Sequence, residues 1–133
     1  MVKFSKKIEY SLIALRYIAN SGEEIITAKE ISNKYNIPHE LLAKILQKLK
    51  KENILMSNQG VNGGYKLSKP LNEISLSELI DKIEGKTAIV ECMHTDNISE
   101  CFISDSCSIK DPINKMQIEL ENLLKTKMVS DFI

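Results

Sequence analysis

The sequence predicts a mainly α, α+β fold: a winged helix-turn-helix with a β-hairpin wing, followed by a long C-terminal dimerisation helix. Three observations carry that reading. Three helix-period apolar patterns follow one another before residue 52, two short apolar runs flank the glycine-rich stretch NQGVNGG, and an apolar repeat lies near the C-terminus. At 133 residues one compact domain is expected. Within it, residues 1–70 form the winged helix-turn-helix DNA-binding region, and residues 71–133 hold a cysteine-bearing loop and the dimerisation helix.

Ser5 can cap a first helix running to about Asn20, with Ile8, Leu12, Leu15 and Ala19 on one face, and Gly22 closes it. TAKE, residues 27–30, is a Thr-x-x-Glu capping box. It opens a short helix through Tyr35, with Ala28, Ile31 and Tyr35 as the buried stripe. Pro38 belongs in the first turn of the next helix, where its missing N–H costs nothing. In IPHELLAKILQKLKKEN, Leu42, Ile45, Leu46 and Leu49 follow the i, i+3, i+4, i+7 rule. That leaves His39, Glu40, Ala43, Lys44, Gln47 and Lys48 pointing outward. ILMS (54–57) and YKLS (65–68) read as the two hairpin strands. SLSE, residues 75–78, is a second capping box, leading a helix through Gly85 with Leu76, Leu79, Ile80 and Ile83 inward. Asp111 and Pro112 supply an N-cap and an N1 proline for a last helix over 112–128, about 25 Å long at about 1.5 Å per residue. Its Ile113, Met116, Leu120 and Leu123 recur as an a/d seam, and in so small a chain that seam is expected to pair with a second copy.

Net charge is zero, but it is unevenly spread. Residues 1–70 carry twelve Lys/Arg against six Asp/Glu, a balance of +6, and residues 71–133 carry six against twelve, a balance of −6. A basic half joined to an acidic half suggests that the first meets a polyanion. No apolar run approaches the roughly 18 residues of a membrane helix, and MVKFSKKIEY lacks the apolar stretch of a signal peptide. A reducing cytoplasm is therefore expected, where thiols stay free for metals or redox chemistry.

On the expected recognition helix, the side chains near the amino-terminal end reach base edges, whereas later lysines meet phosphate. Glu40 can accept from cytosine N4 and Gln47 can read adenine. Lys44, Lys48, Lys50 and Lys51 form a basic track, continued on the wing by Lys66 and Lys69. Asn58, Gln59 and Asn62 at the wing tip offer amide donors to the minor groove, and His39 and Thr27 complete the DNA-facing set. A homodimer would present two such helices to double-stranded DNA, on a pseudo-palindromic operator with half-sites about 34–36 Å apart or a multiple of that.

Cys92, Cys101 and Cys107 are the only cysteines, gathered within ECMHTDNISECFISDSC, residues 91–107. An odd count argues against a closed disulfide framework. Thiolates on a loop can converge on one soft metal centre, zinc or iron–sulfur, and the spacing excludes neither. No CxxC knuckle is present, so a zinc ribbon is disfavoured. Cys92, Cys101, Cys107 and His94 could form a Cys₃His zinc site, although His94 is cramped beside Cys92, and a thiol-redox switch is also open.

Taken together, KKIEYSLIALRYIA, ITAKEISNKYNIPHELLAKILQKLKKENIL, GVNGGYKLSKP, ISLSELIDKIEG, the three-cysteine loop and the terminal helix resemble one family over nearly the entire chain. It is the IscR/NsrR type of bacterial winged-helix iron–sulfur transcription regulators, the Rrf-two superfamily. The resemblance implies a dimeric transcription regulator, a repressor, whose Cys92, Cys101 and Cys107 bind a [2Fe–2S] or [4Fe–4S] cluster. Some members take a fourth ligand from a histidine soon after the third cysteine, where this chain has SIKDP. Others take an acidic residue from the first helix of the partner subunit, and the matching position is Glu9, with His94 as the second choice. CFISDSC looks more like the nitric-oxide-sensing branch than the cluster-biogenesis branch. The expected function is thus a regulator sensing nitric oxide, redox or iron–sulfur status. The alternative is a zinc-stabilised or thiol-redox DNA-binding regulator without a cluster. An electron carrier would leave the wing and basic helix without purpose, and nothing resembles a nucleophile–base pair or a phosphate cradle, so an enzyme is not expected.

Overall fold

Side-chain caps define where the chain begins to coil. The computed structural model describes residues 3–22, 25–58, 60, 63–85 and 108–132. Ser5 Oγ accepts from the Ile8 N–H at 3.3 Å and starts α1, Lys6–Asn20. Gly22, at φ +77°, ends it as expected. The buried face differs from the predicted one: Ile8, Ser11, Ala14, Leu15 and Ile18 are buried, while Leu12 and Ala19 pack at its edge. Apolar periodicity overlooks Ser11 because its burial depends on a local bond, Oγ donating to the Lys7 carbonyl at 2.6 Å.

Thr27 Oγ1 accepts from the Glu30 N–H at 3.1 Å and opens α2, Ala28–Tyr35. Only half of the expected capping box forms. The Glu30 carboxylate turns instead to the Tyr17 hydroxyl, which donates to it at 2.6 Å and ties α2 to α1. Tyr35, expected inside, is 41% exposed and meets Tyr17 edge-on at 5.9 Å, whereas Ser32 takes the buried position beside Ile31. The helix ends on Asn36 in the left-handed region, φ 54°.

The next helix, α3, spans His39–Lys51 with Pro38 at its N-cap, one position earlier than a first-turn proline. Leu42, Ile45, Leu46 and Leu49 are all buried, as their spacing predicts. Strands β1 (Leu55–Asn58) and β2 (Gly64–Leu67) pair antiparallel, Leu55 opposite Leu67 and Asn58 opposite Gly64, each displaced by one residue from the predicted runs. On its other edge β2 exchanges two bonds with Ile26, the Ile26 N–H to the Tyr65 carbonyl at 2.9 Å and the Tyr65 N–H to the Ile26 carbonyl at 2.7 Å. A Cβ on Gly64 would lie 2.7 Å from the Ile26 carbonyl oxygen, so this close approach needs glycine.

A 3₁₀ turn at Leu71–Glu73 leads into α4, Leu76–Glu84, where Ser75 Oγ accepts from the Glu78 N–H at 3.0 Å. Leu76, Leu79 and Ile80 are buried and Ile83 packs beside them. The last helix, α5, spans Lys110–Thr126 and starts earlier than Asp111-Pro112 suggests. Ile109 is its N-cap without a side-chain bond, Asp111 lies within the first turn, and Pro112 is the third helical residue. Any of the first turn's N–H groups lacks a helical partner, so proline is tolerated there too. A short turn, Val129–Phe132, brings the chain back: the Leu76 N–H donates to the Lys127 carbonyl at 2.7 Å and the Val129 N–H to the Ile74 carbonyl at 2.8 Å. One buried cluster runs from Ile8 and Leu15 through Leu42 and Leu49 to Leu71, Leu79 and Val129.

Candidate nucleic-acid interface

The apolar stripe of α3 faces the core, so helical geometry turns the other side of the same thirteen residues to solvent. His39, Glu40, Lys44, Gln47 and Lys50 are exposed there, and Lys48 is half-buried with Nζ 3.5 Å from Glu52 Oε1. Ala43, expected outward, is half-buried. The basic track is therefore continuous along the helix, with Glu40 as a carboxylate in its first turn.

Beside α3, the hairpin forms one wall of an open depression lined by Gln47, Lys50, Lys51, Ser57, Asn58, Gly64 and Tyr65. It brings together four residues of the predicted DNA-facing set, Gln47, Lys50, Lys51 and Asn58. Ser57 and Tyr65 join them unannounced. They face each other across the hairpin, and a correct one-residue register would have placed them. Lys66 is half-buried and lies outside the depression, opposite Met56. Thr27 is exposed, with its oxygen engaged in capping α2. Gln59 and Asn62 lie outside the described residues.

The candidate metal ligands divide in the same way. Cys92, His94, Cys101 and Cys107 lie outside the described residues. Among the described residues, no three His, Cys, Asp or Glu side chains converge. Glu9 sits in the first turn of α1, its side chain 43% exposed and its Oε2 3.0 Å from Lys6 Nζ. That hydrogen bond raises the Lys6 ammonium above its ordinary range. An exposed pair of this kind exchanges readily with water, so the carboxylate is available to another ligand-binding partner.

On α5 the seam residues lie open to solvent. Met116 and Leu123 are each 51% exposed, Ile113 and Leu120 are half-buried, and Ile109, 56% exposed, extends the same 4-3-4-3 repeat by one step. The helix meets its own protomer with a different side: Gln117 is buried and Leu124 packs on the core.

Residues 4–133 match the family described as Rrf2, iron-dependent transcriptional regulator. The HTH-type transcriptional regulator NsrR of Oceanobacillus iheyensis is 32% identical over 133 residues, covering 99% of this chain and 90% of the relative. Among solved structures, CymR, the global cysteine regulator of B. subtilis, superposes with a TM-score of 0.74 at 22% identity, covering 98% of this chain and 95% of that one. IscR of T. potens superposes with a TM-score of 0.73 at 21% identity, covering 98% and 85%.

Proposed function

The chain belongs to the Rrf2 family of transcription regulators, a DNA-binding winged helix and not an enzyme, and we propose that it works as a homodimer whose operator affinity is set by an iron–sulfur cluster. The observation that carries the reading is the joined surface of α3 and the wing, where Gln47, Lys50, Lys51 and Asn58 line one depression beside exposed Lys44. Lysines on such a surface neutralise phosphates, and the amides and Glu40 meet base edges. Two copies would be joined through Ile109, Ile113, Met116, Leu120 and Leu123, of which a monomer leaves Ile109, Met116 and Leu123 facing water. Among the described residues no helix is long and apolar enough to cross a membrane. We place the protein in the cytoplasm, where its thiols stay reduced.

Cys92, Cys101 and Cys107 would hold the cluster and Glu9 of the opposite subunit would complete the set, with His94 second in line. When bound, the cluster supplies a soft anchor that nitric oxide, oxygen or iron shortage can alter. A carboxylate is a weak partner for that chemistry, which keeps the anchor labile. Glu9 opens α1, and α1 packs directly on α3 and α4, so release of its carboxylate is felt at the DNA-reading helix. A complete switch of operator occupancy takes about 5 kcal/mol between the two states, and smaller differences shift it in part.

The test is anaerobic purification of the wild type and Glu9→Ala, followed by iron analysis, visible absorption and DNA binding to duplexes selected from a random library. Iron-bearing, coloured wild type whose DNA affinity changes at least about tenfold on cluster removal, about 1.4 kcal/mol, supports the proposal. Glu9→Ala should lose iron faster. Colourless protein with stoichiometric zinc, or DNA binding indifferent to iron, would favour the zinc or thiol-redox regulator instead.

A further inference from the structure

We infer that Ser32 is the positioning residue that fixes the direction in which α3 leaves the helix-turn-helix corner, and that it thereby sets sequence selectivity rather than general DNA affinity. The inference rests on the DNA-binding reading above.

Only Asn36, Ile37 and Pro38 separate the end of α2 from the start of α3. Ser32, buried on α2, holds both backbone polar groups of the middle residue. Its Oγ donates to the Ile37 carbonyl at 2.7 Å, and its own carbonyl accepts the Ile37 N–H at 3.1 Å as well as the Asn36 N–H. Ile37 is itself buried in the core. The orientation of the helix beyond the corner depends on three dihedral angles, the ψ of Ile37 and the φ and ψ of Pro38. The proline ring fixes its own φ, here −54°. The Pro38 carbonyl accepts the Leu42 N–H at 3.0 Å, which fixes the proline's own ψ, 124°, at the N-cap. What remains is the ψ of Ile37, and the carbonyl that reports it is the one held by the Ser32 hydroxyl.

Small errors at the corner grow along the helix. Gln47, the base-reading amide, lies nine residues beyond Pro38. At about 1.5 Å per residue that is about 14 Å, so a tilt of about 10° moves it by about 2.4 Å. Flexible lysines follow a phosphate over such a distance, whereas hydrogen bonds to base edges do not survive it. Loss of the Ser32 hydroxyl should therefore erase discrimination between sequences before it erases binding.

The experiment selects a preferred duplex from a random library with the wild type. It then measures Kd on that duplex and on sheared heterogeneous DNA at one salt concentration, for wild type, Ser32→Ala, Ser32→Thr and Ser11→Ala, with a thermal midpoint for each. Ser11→Ala is the stability comparator, since it deletes another buried hydroxyl, bonded at 2.6 Å to the Lys7 carbonyl, away from the corner. Ser32→Ala should weaken binding to the selected duplex by at least about tenfold while changing heterogeneous DNA by less than about twofold. Ser32→Thr, which keeps the donor, should restore the ratio, and Ser11→Ala should leave it at the wild-type value. The inference is overturned if Ser32→Ala keeps the ratio, if Ser11→Ala lowers it equally, or if Ser32→Thr behaves like Ser32→Ala. If the wild type recovers no preferred duplex, the DNA-binding reading fails together with it, an outcome distinct from the other three.

Discussion

Glu78 shows how one carboxylate can join two parts of the chain. Its Oε1 lies 2.9 Å from Lys82 one turn along α4 and 3.4 Å from Lys69, which precedes the 3₁₀ turn. The bond from Lys82, aided by Lys69, holds the carboxyl below its ordinary 4.5. A depressed carboxyl stabilises the fold above the unfolded value, and that contribution is lost as pH falls through the folded one. Glu78→Gln should therefore lower the thermal midpoint at neutral pH, and the gap from wild type should close on acidification. Since the side chain is about a third exposed, the effect should stay within about 1 kcal/mol. Gly64 obeys a harder rule, because the obstacle to a Cβ is backbone. Gly64→Ala must push Ile26 and Tyr65 apart, and a loss of about 1–3 kcal/mol should appear as a lower denaturant midpoint with unchanged slope.

The helices α3 and α5 each present two faces with different work to do. The buried face of α3 is complete in Leu42, Ile45, Leu46 and Leu49, so its outer residues are free to vary without unfolding the domain. Lys44→Ala and Lys48→Ala should weaken binding to all duplexes alike and lower the salt dependence by about one counterion each. Lys48 should matter less, because Glu52 already draws on its charge. An unchanged salt slope in both variants would remove them from the interface. The second apolar face of α5 invites an equally direct trial. Met116 is half exposed, so Met116→Lys should leave the protomer folded by circular dichroism. It should yield a monomer by light scattering and abolish binding to paired half-sites. A dimer that survives the substitution would move the interface elsewhere.

Beyond single helices, the fold is closed by long-range ties that join distant stretches of chain. Ile26 completes the edge of the wing, Val129 seals the cluster beneath Ile74, and Tyr17 fastens α2 through Glu30. Through α1 these ties connect the end that carries Glu9 to the end that supports the helix-turn-helix. In the proposed dimer such stiffness would carry a change at Glu9 to the spacing of the two reading heads. The prediction proper to this level is that Glu9→Ala alters iron retention in anaerobic protein, and that DNA affinity follows the iron.

How much of this could be read without coordinates depends on the range of the force involved. Caps and periodicity are local, so Ser5, Thr27, Ser75 and the stripe of α3 were legible in the chain, as were the winged order of elements and the uneven charge. The one-residue register of the hairpin, the exposure of Tyr35, the burial of Ser11 and Ser32, and the use of Glu30 by Tyr17 were not. The register, Tyr35 and Glu30 are settled by partners far along the chain. Ser11 and Ser32 instead satisfy their hydroxyls on carbonyls four and five residues away, which apolar periodicity does not register. Ser32 marks the divide: its type and position stand in the sequence, but its grip on Ile37 exists only after the corner has folded.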